Sequence, residues 1–403
     1  MTLVWNPAPA EVTDDALLRR VTDMEFEGQT PCDPAALALL GSLSQRILQD
    51  PVSRRMPQYV ALAYWLRPAA LARLVAALPV PPTGLVPVPR GVALHLPPTN
   101  VDTIFVYSWA MSVLAGNANI VRLGTILSDD TEWLVRTVAS TVADHGQSAR
   151  QLFCHYPYGG EIERALSSLC DLRMIWGGDH KVASVSIVPI RPDGLSIGFP
   201  DRKSLAIISS LAYRAASDEE RDALAVRFFN DIFWFDQMGC GSPRLIVWLD
   251  QPHDLAADLY RRLEAVVAQR QYRVETGVAI GKLALSADLL AEGIAMRHEA
   301  YSNELHVNRV EDPVAALRRG HGGGFLADWI ATKVEDIAAL VSRPVQTLTH
   351  FGLDEAESGR LARLIGGRGG YRIVPVGEAL QFDTIWDGID LMGHMTRRVL
   401  VRH

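Results

Sequence analysis

Gly91-Val92-Ala93-Leu94-His95-Leu96-Pro97-Pro98 reads as a strand closed by two prolines, neither of which can continue a regular element. An apolar helix is expected over residues 101–114, stopped at Gly116-Asn117, a pair suited to a left-handed turn. Asn119-Ile120-Val121-Arg122-Leu123 then reads as a second strand, and residues 131–142 as a second helix. Leu172-Arg173-Met174-Ile175-Trp176 is a further strand, ended by Gly177-Gly178, and Leu205-Ala206-Ile207-Ile208 is another. Strands that alternate with helices across short links imply a parallel, doubly wound sheet, whose ligands lie at the carboxyl ends of the strands.

Upstream, residues 1–80 read as mostly helical and end at Pro79-Val80-Pro81-Pro82. Downstream, a second α/β unit is expected from about residue 217. A helix over 219–229 leads toward Cys240, Arg244-Leu245-Ile246-Val247-Trp248-Leu249 forms a strand, and helices follow over 254–269, 334–341 and 356–365. Gly320, Gly322, Gly323 and Gly324 suggest a mobile loop. The expected division is a helical region over 1–84, a cofactor domain over 85–216, a catalytic domain over 217–380 and a tail over 381–403.

The chain has 403 residues, 48% hydrophobic and 21% charged, a globular composition long enough for two cores. A formal charge of -7 without a dense Lys/Arg cluster speaks against a nucleic-acid partner or an anionic membrane surface. No apolar run reaches a membrane-spanning length of about 18 residues, and no secretory pattern opens the sequence, so a cytoplasmic protein is expected. Cys32, Cys154, Cys170 and Cys240 show no Cys-x-x-Cys spacing, which argues against a zinc site and a disulfide framework.

Cys240 stands apart from the other three. It lies between Gly239 and Gly241, which allow a carbonyl and a flat ring to approach the backbone closely, and an apolar strand follows at once. A thiol must be held as thiolate to act as a nucleophile, and electropositive backbone groups at such a turn favour that form.

Three segments, in this order, resemble the aldehyde dehydrogenase superfamily, and within it the fatty acyl-CoA reductases of bacterial luminescence systems. They are Pro97-Pro98-Thr99-Asn100 with Gly116-Asn117-Ala118-Asn119-Ile120-Val121-Arg122, then Trp176-Gly177-Gly178, then Asp236-Gln237-Met238-Gly239-Cys240-Gly241-Ser242-Pro243-Arg244. A tail, Tyr371-Arg372-Ile373-Val374-Pro375-Val376-Gly377 with Trp386-Asp387-Gly388, is similar to the C-terminal pattern of those reductases.

The resemblance implies an aldehyde-dehydrogenase-like α/β fold, with a doubly wound parallel-sheet cofactor domain and a second α/β domain that carries the cysteine. It implies that Cys240 is the nucleophile and that Asn100 and the Cys240 backbone N–H stabilise the oxyanion; the plain alternative is that Asn100 caps the following helix. On the cofactor side it points to Arg122, Thr125, Trp176, Gly177 and Gly178. Arginine at 122 offers a phosphate-matching fork and Thr125 replaces a glutamate that would repel a 2′-phosphate, so NADPH is expected ahead of NADH. Trp176-Gly177-Gly178 ends a strand where a diphosphate can meet a helix N-terminus.

Water-activating glutamate precedes a Leu-Gly-Gly-Lys run in hydrolytic relatives, and Phe199-Pro200-Asp201-Arg202-Lys203 stands there in this chain. If Lys203 matches that lysine, Phe199 replaces the glutamate and cannot activate water. The expected activity is therefore reduction of an acyl-CoA or carrier-bound acyl thioester to a fatty aldehyde. An acyl-protein synthetase partner and a homo-oligomer are the expected associations. Two other readings stay open: an aldehyde dehydrogenase that releases acid, with Asp201 as substitute base, and a silent homologue that binds nucleotide or a partner.

Overall fold

The computed structural model describes residues 2–6, 8–25, 29–99, 101–252 and 254–402, which form two units: residues 1–200 with 382–403, and residues 201–381.

The first unit includes the strands β1 (Thr2–Trp5), β2 (Pro9–Val12), β3 (Leu85–Pro89), β4 (Val92–Leu96), β5 (Ala118–Arg122), β6 (Gln151–His155), β7 (Leu172–Trp176) and β8 (Leu195–Phe199). Seven of them form one sheet in the order β2-β1-β6-β5-β4-β7-β8. The segment from β6 to β8 is parallel, whereas β1 and β2 add an antiparallel edge. Sequence order reverses between β4 and β7, which is the switch point where a doubly wound sheet opens a crevice for ligands. β3 stands outside this sheet and pairs with a C-terminal strand, Thr396–Leu400.

Six helices connect and cover these strands: α1 (Asp14–Thr22), α2 (Pro34–Gln49), α3 (Pro57–Trp65), α4 (Pro68–Ala77), α5 (Thr103–Leu114) and α6 (Asp129–Asp144). Two more, α7 (Glu161–Leu169) and α8 (Asp179–Ser186), flank β7. All twelve residues of α5 are buried, which is why its sequence is apolar on every side rather than striped. Proline occupies the first turn of α2, α3 and α4, where its missing N–H costs no helical bond. No single described helix is long and apolar enough to cross a membrane; α3 and α4 together reach that length only as a pair bent by 56°.

Unit two holds β9 (Lys203–Ser209), β10 (Pro243–Leu249), β11 (Ala295–Ala300), β12 (His306–Val310), β13 (Phe325–Ala331), β14 (Val345–Phe351) and β15 (Arg372–Pro375). Their order is β11-β12-β13-β10-β9-β14-β15, parallel except for the edge strand β11. Four helices precede β11: α9 (Ser210–Ala215), α10 (Asp218–Phe233), α11 (Leu255–Gln269) and α12 (Thr276–Ala291). A capping box opens α10, with Ser217 and Glu220 each accepting the other's backbone N–H at 3.3 and 2.8 Å.

Two features differ from the sequence reading. Residues 203–209, assigned there to the cofactor domain, pair with β10 and β14 in the middle of the second sheet. An apolar run cannot say which sheet it will join, because its hydrogen-bond partners lie far along the chain. The first twelve residues, read as part of a helical region, hold the two short strands β1 and β2, whose four-residue lengths leave little periodic signal.

Candidate active site

Cys240 lies just before β10, at the amino end of the second sheet. After α10 the backbone passes through Phe235, Asp236 and Gln237, at φ 54°, 52° and 63°. Three consecutive non-glycine residues in the left-handed region are costly, about 1 kcal/mol or more each, and surrounding structure must hold them.

The Gln237 side chain does much of that holding. It is fully buried, and its amide makes four hydrogen bonds. Nε2 donates to the Pro243 and Phe325 carbonyls at 2.9 and 3.1 Å. Oε1 accepts from the N–H groups of Gly324 and Phe325 at 2.9 and 3.0 Å. Further ties come from Gly323 N–H to the Asp236 carbonyl at 2.8 Å and from the Tyr272 hydroxyl to Asp236 Oδ1 at 2.7 Å. Lys282 Nζ donates to the carbonyls of Gly323 and Asn303, both at 2.6 Å. The glycine run expected as a mobile loop is thus bonded at Gly323 and Gly324 to the segment that leads into Cys240.

Cys240 itself is half-buried. Its carbonyl accepts the Ser204 hydroxyl at 2.7 Å, and Ser204 Oγ accepts the Thr347 N–H at 3.1 Å, which ties the loop to β9 and β14. Gly241 is sterically required by backbone, whereas Gly239 faces the end of a side chain that can turn. A Cβ on Gly239 would come within 2.9 Å of Leu380 Cδ2, and one on Gly241 would overlap the Ala379 carbonyl oxygen. The other cysteines differ in kind. Burial pushes Cys154 and Cys170 up to about 12 and raises Cys32, so all three are held as thiols.

In the first unit, Trp176 ends β7, and Gly177 follows at φ 152°, where a Cβ would approach Lys181 Cδ to 2.7 Å. Gly178 precedes α8, which receives no side-chain cap at its start. The opening N–H groups of α8 therefore lie beside two glycines at the carboxyl end of β7, one side of the switch point. Lys181 closes the other side. Its Nζ donates to the carbonyls of Leu96 and Pro97 at 3.0 and 2.7 Å, at the end of β4. Burial and the nearby Arg122 charge push Lys181 down to about 7. The sequence signal for this role is faint, because nothing local shows which way Lys181 turns.

Arg122 is buried, and both Nε and Nη2 donate to the Tyr156 carbonyl at 3.2 and 2.9 Å. Its guanidinium also stacks 3.4 Å from the Tyr158 ring centroid. Two donors of the fork are thereby committed inside the protein, while Thr125, past the end of β5, is exposed. Asn100 lies outside the described residues.

Phe199 ends β8 in register with Trp176 and stacks on its indole, ring centroids 3.9 Å apart at 15°. Tyr107 and Trp386 meet the Trp176 ring edge-on at 6.0 and 5.7 Å. An aromatic ring packed in this way has no proton-accepting group to offer a water molecule.

Residues 86–276 match the family described as acyl-CoA reductase (LuxC), a span that includes Cys240 and every described cofactor-side candidate. Over that span the chain is similar to the LuxC acyl-CoA reductases, and its fold is that of the aldehyde dehydrogenases. Solved structures agree on the fold of this LuxC-like chain. Aldehyde dehydrogenase 21 from Physcomitrella patens, in complex with succinate, is 12% identical with a TM-score of 0.69, over 97% of this chain and 91% of that one. An NAD-dependent aldehyde dehydrogenase from Sinorhizobium meliloti is 12% identical with a TM-score of 0.68, over 96% and 87%. Glyceraldehyde-3-phosphate dehydrogenase GapN from Methanocaldococcus jannaschii, complexed with NADP, is 10% identical with a TM-score of 0.67, over 97% and 94%. Among curated proteins, none matches the sequence.

Proposed function

We propose that this LuxC-like enzyme reduces a fatty acyl thioester to an aldehyde through an acyl–Cys240 intermediate, using NADPH. The observation that carries this reading is the acyl-CoA reductase match over residues 86–276, which spans the glycine-flanked cysteine.

The Cys240 thiolate attacks the thioester carbonyl, the new C–S bond forms, and the CoA thiolate leaves. A bound nicotinamide cofactor supplies the hydride that reduces the acyl carbon. The Asn100 amide and the Cys240 N–H are assigned to the oxyanion, a role that rests on the family resemblance. The resulting Cys240 hemithioacetal loses its hydroxyl proton, the C–S bond breaks, and aldehyde leaves with Cys240 restored. Overall, acyl-CoA, NADPH and one proton become aldehyde, CoA and NADP⁺. Phe199, where the resemblance puts the water-activating glutamate of hydrolytic relatives, supports reductive discharge over hydrolysis because a phenyl ring accepts no proton from water.

The residues present suit a dinucleotide. Gly177, Gly178 and the uncapped start of α8 would receive the diphosphate, and Trp176 would border it. The preference for NADPH is assigned to Thr125, an exposed position without a repelling carboxylate. The Arg122 fork contributes less than its sequence suggested, since two of its donors are bound to Tyr156. The donor is assigned as acyl-CoA, with a carrier-bound or synthetase-bound acyl group differing only beyond the thioester sulfur.

Purified protein given a long-chain acyl-CoA and NADPH is expected to consume NADPH, release aldehyde, and carry the acyl mass on the Cys240 peptide. Cys240→Ala is expected to lose all three. Parallel assays with acyl carrier protein thioesters identify the donor. Oxidation of aldehyde to acid with NADP⁺ in the absence of CoA would overturn this reading.

A further inference from the structure

Asp231 lies on α10, shortly before the left-handed run that ends at Gln237, and the mechanism above gives it no part. Its side chain is 1% exposed, yet it faces neither solvent nor an ion-pair partner in direct contact. Both carboxylate oxygens are instead spent on backbone. Oδ2 accepts the Gly377 N–H at 2.7 Å, and Oδ1 accepts the Ala379 N–H at 3.1 Å. From the other side Arg372 donates to the carbonyls of the same turn: Ala379 at 3.2 Å, and Glu378 and Gln381 at 3.3 Å each. One acid and one base thus grip residues 377–381 by their main chain.

That turn is the surface against which the cysteine loop rests. The Ala379 carbonyl meets the Gly241 backbone, and the Leu380 side chain meets Gly239, each so closely that a Cβ would collide. A shift of the turn toward the loop must therefore displace Gly241, which the Ala379 carbonyl leaves no room, and press Leu380 on Gly239. Burying a carboxylate to hold a surface turn would be wasteful for stability alone, since desolvation opposes it.

We infer that Asp231 is a positioning residue for Cys240: by clamping residues 377–381, it sets where the thiol stands relative to the acyl carbon. The inference rests on Cys240 being the nucleophile. Burial pushes Asp231 up to about 7 against the two N–H bonds and the Arg372 charge, with Glu378 adding to the upward push. Arg227 also packs along Gly377, through its aliphatic stem. Ionised Asp231 grips the turn more firmly than the protonated acid, because a charged acceptor strengthens both N–H bonds and is attracted by the Arg372 charge.

The test compares wild type, Asp231→Asn, Leu380→Ala and Cys240→Ala as full-length protein. The readouts are single-turnover acylation of the Cys240 peptide by acyl-CoA from pH 5.5 to 9, and iodoacetamide alkylation of Cys240 over the same range. NADPH binding serves as the check of fold. We expect wild-type acylation to fall as pH drops through about 7. Asp231→Asn should lack that limb and acylate about tenfold or more slowly at pH 8, with NADPH binding kept. Leu380→Ala should also acylate more slowly, while it keeps the limb. Alkylation reports ionisation of the thiol itself, so a limb that appears equally in alkylation and persists in Asp231→Asn overturns the inference. Acylation at the wild-type rate in both Asp231→Asn and Leu380→Ala also overturns it. Aldehyde formation by Cys240→Ala would instead sink the nucleophile assignment on which it rests.

Discussion

The first sheet places Gly177 and Gly178 at the carboxyl end of β7, whereas the second carries Cys240 at the amino end of β10. At the carboxyl end a strand runs into a helix, so the turn delivers unpaired helical N–H groups with little distortion; Gly177 and Gly178 are enough. At the amino end the chain arrives from a helix and must reverse into a strand. Here it does so through Phe235, Asp236 and Gln237 in the left-handed region, which needs external bonds to hold it. The turn after β7 is thus built locally, but the cysteine loop depends on four distant segments: Gly323 to Phe325, Ser204, Thr347, and Ala379 with Leu380.

If this contrast is right, the cysteine loop should be the more fragile of the two. The largest effect is expected for Gln237→Leu, which leaves two N–H and two C=O groups without their partner. A loss of about 4 kcal/mol in unfolding free energy follows from several unmet buried groups, measured by denaturant titration. A loss under about 1 kcal/mol would show that water or a shift of the loop replaces the amide.

Gly241→Ala comes next. The added methyl meets the Ala379 carbonyl, and a displacement of the thiol by about 1 Å lowers acyl transfer about 100-fold. NADPH affinity, measured by fluorescence titration, should stay at the wild-type value. A matching loss of NADPH affinity would mean that the defect is not confined to the cysteine loop.

The first unit has its own vulnerability, set by pH. His95 is fully buried between Ser108 at 2.7 Å and Asn119 at 2.9 Å. Burial lowers it to about 4, against a smaller upward pull from the Asn119 bond. Between pH 6.5 and 4 the unfolded chain binds the proton that the folded one refuses, so stability falls as pH falls through this window. At pH 5 the loss from this residue is about 2 kcal/mol relative to pH 7. Thermal melts of wild type and His95→Gln at the two pH values measure it, and an equal pH dependence in both would exclude His95 as the source.

The smallest effect belongs to Thr125→Glu at the exposed end of β5. A carboxylate there should weaken NADPH about tenfold through repulsion, leave NADH nearly unchanged, and show its effect most at low salt. Unchanged affinity for both would place the 2′-phosphate elsewhere.

Much of this was legible in the order of residues, but unevenly. Pro97-Pro98, Gly116-Asn117 and Gly177-Gly178 mark the ends of β4, α5 and β7 in the structure as in the sequence, because proline and glycine act on their own backbone. The two glycines around Cys240 were legible, although the atoms that meet them belong to Ala379 and Leu380. Arg122 was legible as the cation that closes a strand, yet not as one bonded to the Tyr156 carbonyl. Lys181, Gln237 and Asp231 were not legible in these roles at all.

The sequence by itself determined the alternating α/β pattern, the stops that end β4 and β7, and the two glycines that flank Cys240. Each of these depends on a residue and its immediate neighbours. Only the tertiary structure decided that Lys203–Ser209 joins the second sheet, that Gln237 holds the glycine run, and that Asp231 grips a turn 146 residues away. Hydrogen-bond partners so distant leave no local period, since a buried polar side chain reads the same in sequence whatever backbone it will meet.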